Sequence, residues 1–214
     1  MAETCEIVGT APKIDAVHST RWQRWVVLLW ALAVFGGLFL LWRYSGIPGD
    51  NSRPPQKWPD SSALTLSPGG NTLLMFVHPR CPCTRASLAQ LARVAAQCNG
   101  IFTPWVVFSK PKGAGDDWQD GDLWEIAGAI PGAQRYIDSD GIETERFHAA
   151  TSGQTLVYDP SGELLFHGGI TGARGHEGDN DGQDSVVQIL NGRNSMFRET
   201  PVFGCPINSN SSTK

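Results

Sequence analysis

Leu73-Leu-Met-Phe-Val-His-Pro-Arg-Cys-Pro-Cys-Thr-Arg-Ala-Ser-Leu-Ala-Gln-Leu91 changes character twice within nineteen residues. Leu73 to Val77 is a short apolar run that reads as a buried strand, and His78 to Pro82 is too proline-rich to continue it. From Thr84 the spacing becomes helical, with Leu88, Leu91, Ala95 and Cys98 on one stripe. Cys81 and Cys83 thus fall where a strand gives way to a helix. Unpaired backbone N–H groups and the positive end of the helix dipole favour a thiolate there. Two thiols at such a junction point to redox or metal chemistry.

Outward from this run the chain supplies more α/β signals. Phe102 to Phe108 reads as a second buried strand, Lys110 to Gly121 as a surface loop and Asp122 to Ala129 as a helix. Gln134 to Ile137 is expected as a short strand and Gly141 to His148 as a helical turn or two. Thr155 to Tyr158, the turn Asp159-Pro-Ser-Gly162 and Glu163 to His167 form a hairpin. A glycine-rich loop, Gly168 to Gly182, precedes a helix from Ser185 to Leu190. The order gives α/β with a mixed sheet flanked by helices.

Upstream, Trp25 to Trp42 is 18 residues without a charge. As a helix it would span ~27 Å, close to the thickness of a bilayer's hydrocarbon core. Arginines and tryptophans flank it, and no small-x-small cleavage site follows, so it reads as an uncleaved single transmembrane helix. The organisation is then a polar tail over 1–24, an anchor over 25–44 and a Pro/Gly/Ser-rich tether over 45–62. A domain over 63–207 and a disordered tail over 208–214 complete it. The positive-inside rule separates the two sides weakly, and the thiol chemistry places the domain outside the cytoplasm.

The 214 residues carry a net charge of −4 with a pI near 5.7, which argues against nucleic acid as a partner. Beyond residue 44 the chain has 13 basic and 18 acidic residues, so the domain should not cling to anionic lipid. Five cysteines are too few for a disulfide scaffold, and no zinc-finger spacing is present. No glycine-rich phosphate loop follows a strand, so no organic cofactor is implied.

Asp138-Ser-Asp-Gly-Ile-Glu-Thr-Glu-Arg-Phe147 and Ser152-Gly-Gln-Thr-Leu-Val-Tyr-Asp-Pro-Ser-Gly-Glu-Leu164 follow the redox motif at a characteristic distance. With it they resemble the thioredoxin-like superfamily over about residues 63–192, most closely its membrane-anchored periplasmic thiol-disulfide oxidoreductase branch. His78 to Cys83 and Gly168 to Asn180 look like a narrower bacterial group labelled RedB-like. Two departures stand out. The family's Cys-x-x-Cys is Cys81-Pro82-Cys83 here, one residue shorter, and its cis-proline facing the redox pair falls at Gln154.

The resemblance implies thiol-disulfide exchange with extracytoplasmic protein thiols or disulfides. Cys81, nearer the loop, is expected to attack and Cys83 to resolve, with Arg80 and Arg85 lowering their pKa values. A bridge across one residue would be strained and therefore easy to reduce. His78 either caps the strand end or tunes the thiolate. His167, Arg174 and His176 gain interest because the returning hairpin strand would bring their loop to the redox end. Cys98 reads as a small core residue. Cys205 is open between a structural partner for Cys98, a third redox thiol and a metal ligand. Two other classes remain: a copper(I) module using His78, Cys81 and Cys83 with a loop histidine, and a redox-inert docking domain.

Overall fold

The structure is a computed structural model that describes residues 21–98, 100–115, 117–118 and 121–207. Most of the proposed N-terminal tail, Cys5 and His18 with it, and all of 208–214 lie outside the described residues. The chain forms two units, Met1–Leu41 and Trp42–Lys214. In the first lies most of α1, Arg21–Ser45, a helix with no buried residue, long and apolar enough to cross a membrane by length and composition. It begins four residues before the expected anchor.

The second unit is built on a five-stranded sheet. Its strands are β1 (Asn71–Val77), β2 (Phe102–Lys110), β3 (Gln134–Ser139), β4 (Gln154–Tyr158) and β5 (Leu164–Gly168). They lie in the order β3-β2-β1-β4-β5. β1 and β2 pair in parallel, as do β2 and β3, whereas β4 runs antiparallel to both β1 and β5. The helices are α2 (Thr84–Cys98), α3 (Asp122–Gly128), α4 (Ile142–Arg146) and α5 (Asp181–Leu190).

β1 is central because its run of apolar residues can be buried on both faces. Leu73, Met75 and Val77 face a core shared with Leu88, Leu91 and Val94 of α2, Leu123 of α3, and Val186 and Ile189 of α5. Leu74 and Phe76 face a second core with Phe147, Leu156, Tyr158 and Ile207. Asp138, the first acid of the Asp-Ser-Asp-Gly run, is buried where β3 turns into α4. Its carboxylate accepts from the Glu143 N–H at 2.8 Å, the Thr144 N–H at 2.7 Å and the Thr144 hydroxyl at 2.6 Å. That motif therefore caps a turn.

Two boundaries are corrected. Helix α5 begins at Asp181, where the Asn180 side chain accepts from the Gln183 N–H at 3.0 Å, earlier than the glycine-rich run suggested. Residues 49–62 do not form a free tether. The Gly49 N–H donates to the Val202 carbonyl at 2.8 Å, and Leu164 donates to Gln56 at 2.9 Å. Trp58 packs edge-on to Phe147 and Tyr158, at 5.1 and 5.3 Å between ring centroids. Proline keeps this segment extended, as its composition implied, but an extended chain carrying a tryptophan can bury itself along a sheet edge.

Candidate active site

The junction between β1 and α2 folds as a tight turn. The Cys81 N–H donates to the His78 carbonyl at 3.1 Å, and the Thr84 N–H donates to the Cys81 carbonyl at 3.1 Å. Cys81 is 1% exposed, whereas Cys83 is half-buried and Pro82 exposed. All of Cys81, Cys83, Cys98 and Cys205 are free thiols.

Cys205 comes to this turn from the far end of the sequence. The segment after α5 runs back past the sheet and pairs with the stretch before β4. There Ser152 N–H donates to the Cys205 carbonyl and Ile207 N–H to the Ala150 carbonyl, both at 2.8 Å. Thr151 and Pro206 form an antiparallel bridge between these bonds. Gly204 makes the approach possible, because a Cβ there would run into the Ser152 carbonyl. The result is that both the thiol and the backbone N–H of Cys205 donate to the Cys81 sulfur.

Burial alone would push the Cys81 thiol up. It is overcome by donors from the Cys205 thiol and N–H, the Thr84 hydroxyl and the Cys83 N–H, and the pKa falls below the ordinary thiol value. The Thr84 hydroxyl is aimed by a chain. The His78 N–H donates to the Ser152 hydroxyl at 2.9 Å, and Ser152 lies 2.8 Å from Thr84 Oγ1. A Thr84 hydroxyl that accepts from Ser152 has its own single hydrogen free for the Cys81 sulfur or for the His78 carbonyl, 3.4 Å away. Cys83 moves the other way: burial and the neighbouring Cys81 charge raise it, with Arg174 opposing. Cys205 is raised to about 12 by burial and by Cys81, again against Arg174.

Arg174 is the cation of this site. Its guanidinium donates to the Gly204 carbonyl and to Ile47 O at 3.2 Å. Arg80 and Arg85, the expected tuners, are directed elsewhere. Arg80 stacks over Trp118 at 4.2 Å, and Arg85 pairs with Asp122. Their side chains, with Pro79, Cys81, Pro82, Asp122 and Leu123, line a cleft of about 300 Å³.

The remaining expected residues divide. The structure gathers Cys81, Cys83 and Cys205, with the loop contributing Arg174. His176 is exposed on that loop, and His167 sits beside Glu199, Nε2 to carboxylate 3.7 Å. His78 stands next to the motif with Nδ1 accepting from the Arg80 N–H at 3.1 Å and its ring edge-on to Trp118. Burial, then the Arg80 charge, lower its pKa. Among the described residues no three His, Cys, Asp or Glu side chains are grouped to hold a metal ion, so the copper set of His78, Cys81 and Cys83 is not assembled. Gln154 does not face the pair. It is fully buried opposite Phe76, and its Oε1 accepts from the Ala150 N–H at 3.0 Å. Ser152 and Gly153 meet the start of α2 instead; a Cβ on Gly153, whose φ is +92°, would press on the Ser87 hydroxyl. Cys98 lies at the opposite end of α2 in the apolar core, bonded to the Asn191 amide at 3.6 Å, which excludes a Cys98–Cys205 pairing in this fold. Ser152 and Thr84 act through polar contacts that apolar periodicity does not report, whereas Arg174 is on the loop that the hairpin topology singled out.

No known family model matches the chain, and no curated protein matches it. Among solved structures, a hypothetical protein from Sinorhizobium meliloti aligns at 22% identity with a TM-score of 0.54, covering 65% of this chain and 79% of that one. An uncharacterized conserved protein from Geobacillus kaustophilus aligns at 15% identity with a TM-score of 0.55, covering 78% and 95%. The exposed lipoprotein thioredoxin of Streptococcus pneumoniae aligns at 18% identity with a TM-score of 0.43, covering 58% and 85%. Three parallel strands lead into an antiparallel hairpin, and the cysteine pair sits between the central strand and its helix. The fold is thioredoxin-like. In this thioredoxin-like domain the cysteine pair at the strand–helix junction is joined by a third thiol, delivered by the C-terminal segment.

Proposed function

We propose that the chain is a membrane-tethered thiol-disulfide oxidoreductase acting on extracytoplasmic protein partners through Cys81-Pro82-Cys83. A single observation carries the reading: Cys81 is a deeply buried thiol whose pKa is nonetheless lowered, by four hydrogen-bond donors converging on its sulfur. Such donors favour the thiolate over the thiol, and the thiolate is the species that attacks a disulfide. Cys81 attacks one sulfur of a client disulfide, the client's S–S bond breaks, and a client thiolate leaves. A second thiol of the site then attacks the Cys81 sulfur, passing its proton to the departing client thiolate and leaving an intramolecular disulfide. Cys83 is the partner that the motif itself offers. The cleft beside Cys81, lined by Arg80, Arg85 and Asp122, is the way in for the client sulfur.

The anchor reading rests on α1, and the side of the membrane on the need for an oxidising compartment in which a disulfide turns over. The test has two arms. Full-length protein in detergent should reduce a disulfide-linked fluorescent peptide, and Cys81→Ala should abolish the reaction; unchanged turnover in that variant sinks the exchange chemistry. A reporter fused after Lys214 should be active outside the cytoplasm, with the protein retained in membranes after alkaline carbonate washing. Cytoplasmic reporter activity sinks the orientation.

A further inference from the structure

We propose that Cys205 is a third exchange thiol, which resolves the mixed disulfide on Cys81 by forming a Cys81–Cys205 bridge. The inference rests on the exchange reading above. Four observations carry it. The thiol and N–H of Cys205 both contact the Cys81 sulfur, although 124 residues separate the two in sequence. Their contact is built rather than incidental. The segment is held by two backbone hydrogen bonds at 2.8 Å, by Arg174 on the Gly204 carbonyl, and by a glycine where any Cβ would strike Ser152. Cys81 is 1% exposed, and with the segment seated its sulfur is enclosed by donors of the site, the Cys205 thiol among them. Finally, the cleft that Cys81 lines is bordered by none of Cys83, Arg174 and Cys205. A client sulfur in that cleft therefore does not have to displace the Cys205 segment from Cys81.

Geometry also separates Cys205 from Cys83. A bridge from Cys81 to Cys83 must close over one intervening residue, and that residue is a proline with φ fixed near −65°. A bridge to Cys205 has no such constraint, since the sulfur arrives from another segment. The electrostatics supply timing. Burial, then the hydrogen bond and charge of Cys81, hold the resting Cys205 thiol at about 12. Once Cys81 is bound to a client sulfur its charge is gone. The Cys81 share of the shift is then removed, leaving burial and Cys83 against Arg174, and the thiol becomes easier to ionise when it must attack.

Written for glutathione disulfide as the probe, the Cys81 thiolate attacks one sulfur and glutathione thiolate leaves. The Cys205 thiol next attacks the Cys81 sulfur, the bond to glutathione breaks, and the departing thiolate takes the Cys205 proton. One glutathione disulfide is reduced to two glutathiones, and two protein thiols become one disulfide.

The test follows the glutathione adduct on Cys81 in reduced full-length protein, by acid quench and peptide mass spectrometry. Wild type should yield a Cys81–Cys205 linked peptide. Cys205→Ser should lengthen the life of the adduct at least about tenfold, while Cys83→Ala should change it by less than about threefold, the intramolecular thiol of high effective concentration having been kept in the second case. Gly204→Ala, which leaves the thiol in place but unseats its backbone, should behave like Cys205→Ser. Equal lifetimes in wild type and Cys205→Ser, or a long-lived adduct in Cys83→Ala alone, would overturn the proposal. The double variant Cys83→Ala with Cys205→Ser separates the two levels. It should accumulate one glutathione on Cys81. Absence of that adduct overturns the exchange reading and this proposal with it, whereas an adduct that lives as long in Cys83→Ala, where Cys205 is kept, as in the double variant overturns this proposal alone.

Discussion

Cys81 and Cys98 stand near the two ends of one helix and are almost equally hidden, at 1% and 2% exposure, yet their thiols are shifted in opposite directions. Cys98 is pushed up by burial, and the Asn191 amide at 3.6 Å is a weak counterweight. Cys81 feels burial too, but donors from Cys205, Thr84 and Cys83 outweigh it. The helix dipole acts in the same sense, favouring negative charge before the first turn and disfavouring it after the last. Burial does not decide what a cysteine does; the count and direction of hydrogen-bond donors around its sulfur do.

The largest expected effect breaks the comparison at its reactive end. Cys81→Ala should lower the rate of peptide-disulfide reduction at least about a hundredfold, because the thiolate is the nucleophile. Cys98→Ala should leave the rate unchanged and cost on the order of 1 kcal/mol in thermal or denaturant unfolding, for the small cavity it opens. A Cys98→Ala variant that loses activity while staying folded would contradict the assignment of Cys98 to the core.

A smaller effect sharpens the role of the donors. Thr84→Val keeps the shape of the side chain and removes the hydroxyl that points at the Cys81 sulfur. The Cys81 pKa should rise, and because each unit of pKa is tenfold in thiolate fraction, the rate at neutral pH should fall by about three- to tenfold. Raising the pH should recover it. A pH-independent loss would mean that Thr84 acts on the fold alone. Smaller still is Arg174→Gln. Arg174 lowers Cys83 and Cys205, so its loss should move both thiols further up and slow resolution by about threefold while leaving the first attack by Cys81 unchanged. Stopped-flow mixing resolves the two steps, and a slowed first step would assign Arg174 to Cys81 instead.

The strands and helices were legible because their apolar periods are strong. The run Leu73 to Val77 reads as a buried strand, and the stripe through Leu88 and Leu91 as a helix with one apolar face. Cys81 and Cys83 were legible for the same reason, since the change of period falls on them. What the sequence hid depends on contacts between distant segments. Cys205 reaches Cys81 through backbone pairing with Ala150 and Ser152, and backbone pairing leaves no side-chain signature. Arg80 and Arg85 were the nearest cations in the chain, yet a stacking tryptophan and an aspartate hold them. Gln154 was placed by the spacing of a motif. Its pairing with Phe76 turns it to the face of the sheet away from α2, and Ser152 takes the place beside Thr84. The segment 45–62 was read from its prolines, while Trp58 and its neighbours bind it to the domain.

The most direct test of the central claim is the pH dependence of the first alkylation of the reduced full-length protein by iodoacetamide, with the modified cysteine located by mass spectrometry. The reagent reads thiolate. A thiol whose pKa is lowered keeps its reactivity as pH falls below the ordinary thiol range and loses it on passing through the lowered value. The account predicts that the first adduct forms on Cys81, with a midpoint below that of the same cysteine in the denatured chain, while Cys98 stays protected. A first adduct on Cys83 or Cys205, or a Cys81 midpoint at or above the denatured value, would contradict it.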